Sequence, residues 1–194
     1  MALEGINRAL KDQRLNKAER LFSSINNTEV PCVFISYQRD DEDYAKEVAD
    51  YITSKQMDVY FDLEDNDLKK YNQANNPKAV TNAIKKGLNQ SDYMLVIVSP
   101  STYKSLWVPF EVGYAFDDKG EKMKILRHKD ISKTILPSYL KVKEMLNGTI
   151  SLNKFLDSVR KGRRIYENLL LKGEKIKTFS DYNSNPLNKY LDNE

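Results

Sequence analysis

The chain has 194 residues, 40% hydrophobic and 30% charged, and its 31 Lys and Arg against 28 Asp and Glu give a net charge of +3. That length and balance fit one globular domain with appended segments, and a charge so near neutral excludes the basic footprint of a nucleic-acid binder. A single cysteine, Cys32, and a single histidine, His128, exclude an internal disulfide and a zinc site built from those ligands. No apolar run reaches the roughly 18 residues of a membrane span, and residues 1–28 lack the apolar core of a signal peptide, so a cytoplasmic protein is expected.

Residues 2–24 are polar and helix-forming, with Leu3, Ile6, Leu10, Leu21 and Phe22 as a broken apolar stripe; they read as an N-terminal helix docked on the domain. Residues 31–37 (PCVFISY) read as a buried strand, with Cys32 as a structural thiol inside it. The spacing of Tyr44, Val48, Tyr51 and Ile52 predicts an amphipathic helix over 43–54, followed by a strand over 57–61. Residues 62–76 are charged, Asn-rich and without apolar period, so they read as a long loop. Pro77 opens a helix to Asn89 that buries Ala79, Val80, Ala83, Ile84 and Leu88. The run Tyr93 to Val98 (YMLVIV), stopped by Ser99-Pro100, reads as a fully buried strand. Trp107, Phe110, Val112, Tyr114 and Ala115 then recur at helical spacing. A fourth strand is expected over 122–126, loop with some helix over 129–139, a short fifth strand over 148–150 and a helix over 151–171. The basic run 160–164 reads as a solvated helix face. Strands alternating with helices predict an α/β fold with a parallel sheet and helices on both faces.

The glycine fingerprints of dinucleotide folds, P-loops and serine hydrolases are absent. What the strand order brings together instead is a set of polar and aromatic groups after strand ends, where open α/β sheets bind ligands. Ser36, Tyr37 and Arg39 follow the first strand, Asp62 the second, and Ser99 and Ser101 the third, with Trp107 and Glu111 on the next helix. Arg39 can pair with a phosphate, or merely with Asp40, Asp41 or Glu42. Tyr37 or Trp107 can stack on a flat ring or a pyridinium. A carboxylate such as Glu111 can hold ribose hydroxyls and stabilise an oxocarbenium-like centre, and a cationic leaving group needs no general acid.

Four motifs, Val33 to Arg39 (VFISYQR), Asp58 to Asp62 (DVYFD), Met94 to Pro100 (MLVIVSP) and Ser105 to Glu111 (SLWVPFE), stand in the order and spacing of a Toll/interleukin-1 receptor (TIR) domain, and the chain resembles that family over about residues 30–160. The resemblance implies a flavodoxin-like five-stranded parallel sheet, with residues 1–29 as an N-terminal helical extension and 161–194 as a C-terminal helical extension and tail. It implies that residues 62–76 form the loop that shapes the site and mediates self-association. In the NAD-cleaving branch a tryptophan precedes the catalytic glutamate by four positions, as Trp107 precedes Glu111.

The resemblance therefore implies NAD+ as substrate rather than cofactor, no metal, Glu111 as the catalytic residue, and Ser36, Tyr37, Arg39, Asp62, Ser99 and Trp107 as substrate-binding residues. Chains of this size resemble the TIR proteins of Thoeris anti-phage defence, which implies a cyclic or conjugated ADP-ribose signal and an effector protein that it activates. Two other readings stand beside this one: a non-catalytic TIR scaffold acting through TIR–TIR assembly, and an enzyme akin to nucleoside deoxyribosyltransferases that cleaves free nucleosides. Tyr71, inside the long loop, is a candidate to reach a neighbouring subunit's ligand.

Overall fold

The computed structural model describes residues 5–10, 30–62, 70–71, 73–132, 136–161 and 185–194. Five strands form the sheet: β1 Cys32–Ser36, β2 Asp58–Tyr60, β3 Tyr93–Val98, β4 Met123–Arg127 and β5 Met145–Leu146. All pair in parallel, in the order β2-β1-β3-β4-β5. The central strands are buried on both faces, which is why they read as continuous apolar runs instead of alternating ones.

Among the described residues, four α-helices cover the sheet: α1 Glu42–Ser54, α2 Pro77–Asn89, α3 Trp107–Lys119 and α4 Thr149–Lys161. Residue parity along the strands decides which helix each side chain meets. Val33, Ile35, Leu95 and Ile97 pack with Val48 and Ile52 of α1 and with Leu152 and Leu156 of α4. Phe34, Met94, Val96 and Val98 pack with Ile84 and Leu88 of α2 and with Val108 and Val112 of α3. The chain builds outward from β1 in one direction to β2 and in the other to β3, so the order reverses between β1 and β3. That reversal opens a crevice at the carboxyl ends of the two strands.

Local signals fix the helix ends nearest the crevice. Asn76 caps α2, its side chain accepting from Ala79 N at 3.1 Å, with Pro77 at the first helical position. Ser105 Oγ accepts from Val108 N at 3.1 Å at the start of α3, and Gly120, at φ 46°, ends that helix.

The termini depart from expectation. Residues 5–10 are not helical: Asn7 makes a parallel bridge to Val59 on the outer edge of β2. Gly5 is needed there, since a Cβ would lie 1.8 Å from Met57 O. The rest of the expected helix over 2–24 lies outside the described residues. At the other edge, Gly148 is no strand residue; it bridges Asp192, the fifth strand lies earlier at Met145–Leu146, and α4 begins at Thr149. A Cβ on Gly148 would meet Asp192 O at 2.2 Å. The described end of the chain, 185–194, holds one 3-10 turn, Pro186–Lys189, and buries Leu187 and Leu191 completely in the core shared with α1 and α4. The N-terminal segment thus pairs with the β2 edge at Val59, and the C-terminal segment bonds to the chain just past β4 and β5, at Lys129 and Thr149. Lys70, Tyr71 and Gln73 are helical within the stretch expected as loop, and residues 63–69 and 72 lie outside the described set, as do 162–184 with most of the basic run. Among the described residues, no helix is long and apolar enough to cross a membrane.

Candidate active site

Ser36 is the last residue of β1, and the strand's parity turns it toward α2 and α3. Glu111 sits one turn into α3, and its side chain returns to the sheet edge, where only 4% of the residue is exposed. There Ser36 Oγ donates to Glu111 Oε2 at 2.5 Å. Burial, reinforced by the negative charge of Asp62 and opposed by the Ser36 hydrogen bond, pushes the Glu111 carboxyl up to about 8. Asp62 follows β2 and reaches the same place, half-buried. Its carboxylate takes a hydrogen bond from the Tyr37 hydroxyl, whose pKa is raised first by burial and then by that charge. The Tyr37 ring leans on Phe61, with centroids 5.2 Å apart.

Four of the residues singled out from sequence therefore converge: Ser36, Glu111, Asp62 and Tyr37. Burial and the neighbouring Asp62 charge thus both favour the protonated form of Glu111. A cation entering beside the two carboxylates is attracted and shifts Glu111 toward its charged form.

Trp107 and Arg39 flank this cluster from outside. Trp107 opens α3, is 39% exposed, and meets Phe110 edge-on with centroids 5.9 Å apart. Tyr103 and Leu106, close before it in the chain, are 53% and 87% exposed. Arg39 is exposed, and among the described residues its guanidinium makes no ion pair with Asp40, Asp41 or Glu42. Asp40 pairs instead with Lys104 at 3.7 Å. Arg39 is close enough to Tyr37 to offset part of the negative charge felt there.

Ser99 and Ser101 belong to a different cluster. Ser99 has the opposite strand parity to Val98 and faces α1, where its Oγ donates to Asp41 Oδ2 at 2.5 Å; Ser101 Oγ donates to the same oxygen at 2.6 Å. The structure does not bring Ser99 to Glu111. It uses both hydroxyls to tie the turn after β3 to the start of α1. Nothing in the local sequence marks Asp41 as their partner, because it comes from 58 residues away. His128, in the loop after β4, is half-buried edge-on to Tyr44 with centroids 5.3 Å apart, and burial lowers its pKa. Tyr71 packs partly against the α2–α3 core of its own chain.

The profile of the TIR domain family matches residues 33–153, which runs from β1 into α4 and contains Ser36, Tyr37, Arg39, Asp62, Ser99, Trp107 and Glu111. No curated protein matches the chain at a significant level.

Proposed function

Because the chain belongs to the TIR domain family, whose members include NAD-cleaving enzymes, we propose that it cleaves the bond between nicotinamide and ribose in NAD+, with Glu111 as the catalytic residue. One observation carries the reading: a buried glutamate one helical turn past an exposed tryptophan, hydrogen-bonded to Ser36 and beside Asp62 at the crevice between β1 and β3. A surface acid of a purely structural helix has no reason to accept that desolvation.

The chemistry suits these groups. Breaking the glycosidic bond of NAD+ sends the bonding pair to the pyridinium nitrogen, so nicotinamide leaves neutral without a general acid. Positive charge then moves onto the ribose, where an ionised Glu111 in a low-dielectric site stabilises it. Asp62 adds negative charge to the same region, Tyr37 holds Asp62 in place, and Trp107 offers a face for the pyridinium. Arg39, exposed at the mouth, is the cation available to the diphosphate. The ADP-ribosyl group is then taken by water, by a group of its own or by another nucleophile.

The resemblance to Thoeris TIR proteins supports a signal product, a cyclic or conjugated ADP-ribose that activates an effector in anti-phage defence. A second reading, a scaffold working by TIR–TIR contact, draws support from the exposed Tyr103, Leu106 and Trp107 beside the site. Nicotinamide release from NAD+ by the purified protein, lost in Glu111→Gln, separates the two.

A further inference from the structure

Residues 6–8 run along the outer edge of β2 as a short parallel ladder. Val59 N donates to Ile6 O at 3.0 Å, and Arg8 N donates to Val59 O at 2.8 Å. Asn7 stands opposite Val59, and its side chain carries the pairing past the end of the strand. Asn7 Oδ1 accepts from Phe61 N at 3.1 Å, and Asn7 Nδ2 donates to Phe61 O at 3.1 Å. Oδ1 also accepts from Ala9 N at 3.1 Å, which holds the amide plane. The segment itself is bolted down by Arg8, whose Nε donates to Asp58 Oδ2 at 2.7 Å and whose Nη2 donates to Val30 O at 2.7 Å.

Phe61 is buried and comes directly before Asp62. It also lies just past the last β2 residue paired with β1, Tyr60. Among the described residues, no backbone segment pairs with the outer side of β2 at that point, so the Phe61 backbone groups take a side-chain partner. Asn7 supplies both a donor and an acceptor in one rigid amide, matching a single residue's N–H and C=O.

We propose that Asn7 is a positioning residue of the candidate active site: its paired hydrogen bonds to the Phe61 backbone fix where the chain leaves β2 and thereby set Asp62 beside Glu111. The inference rests on Glu111 being the site carboxylate. It makes residues before the family match part of the site, and it links whatever happens to the N-terminal segment to the charge environment of Glu111.

The test compares Asn7→Ala with Arg8→Ala, which loosens the same segment at Asp58 but leaves the Phe61 bonds. Two readouts are taken: the Glu111 titration followed by its carboxyl carbon shift, and KM and kcat for NAD+. In Asn7→Ala the Glu111 midpoint falls by about half a pH unit or more as Asp62 moves off, and KM rises at least roughly fivefold. Arg8→Ala, even with the same loss of melting temperature, leaves both near wild type. Should Asn7→Ala fail to fold, Asn7→Ser, which keeps an acceptor over the Phe61 amide, carries the same comparison with smaller shifts. An unchanged midpoint and KM in the Asn7 variant overturns the proposal, as does an Arg8→Ala variant that reproduces both changes. If the wild type leaves NAD+ intact, the assigned reaction fails, and the Glu111 titration alone decides the role of Asn7.

Discussion

Ser36 Oγ and Glu111 Oε2 lie 2.5 Å apart, one at the end of β1 and the other on α3, separated by 75 residues in sequence. This hydrogen bond opposes the upward push on the Glu111 carboxyl. A hydrogen bond to a charged group contributes about 2 kcal/mol. Ser36→Ala is therefore expected to lower NAD+ turnover roughly thirtyfold at neutral pH and to move the rising limb of the pH profile upward. The pH dependence of kcat/KM for wild type and variant checks both.

Glu111 also makes stability depend on pH, in a direction fixed by its shift. Its folded-state value of about 8 stands above the ordinary 4.5, so the folded protein prefers the proton and the unfolded chain releases it first. The folded state thus loses stability as pH rises from about 4.5 to about 8, by a few kcal/mol in all. Glu111→Gln removes that dependence. The variant is expected to melt several degrees above wild type at pH 9 and close to it at pH 4.5, while losing turnover. Thermal melts of both proteins across that range read the effect, and a variant less stable at pH 9 contradicts it.

Trp107 separates binding from folding. With 39% of the residue exposed and its contact made edge-on to Phe110, it contributes little to the core. Trp107→Ala is expected to change stability by less than about 1 kcal/mol and to raise KM for NAD+. A large melting loss with an unchanged KM assigns it to packing instead.

Much of the sheet was legible because buried parallel strands and the helices between them leave two distinct periods in the sequence. Strand β3 and helix α2 run over the residues their apolar patterns predict. Ser36, Tyr37, Asp62 and Glu111 were legible as a group because the order of the strands puts their ends together. The partner of Ser99 was not legible: one residue past Val98, its hydroxyl bonds Asp41, which lies 58 residues away in sequence. Residues 5–10 were misread as helix because a short stretch that pairs with an edge strand through one bridge and a side-chain amide has no period of its own. Gly5 and Gly148 were the nearest local marks of the terminal segments, and each means something only beside the backbone it touches.

The C-terminal segment offers a prediction about boundaries. The family match ends at residue 153, yet Leu187 and Leu191 are buried in the core and Arg127 pairs with Asp192 at 2.6 Å. Leu187→Ala is expected to cost about 2–4 kcal/mol. A chain ending at residue 160 is expected to melt far below the full chain, or not to fold cooperatively. Calorimetry of the two variants beside wild type tests the integration of the segment.

The central claim is tested most directly by mass spectrometry of NAD+ incubated with concentrated wild-type protein beside Glu111→Gln. The account predicts nicotinamide together with an ADP-ribosyl product in the wild type only. NAD+ left intact by the wild type, or consumed equally by Glu111→Gln, contradicts it.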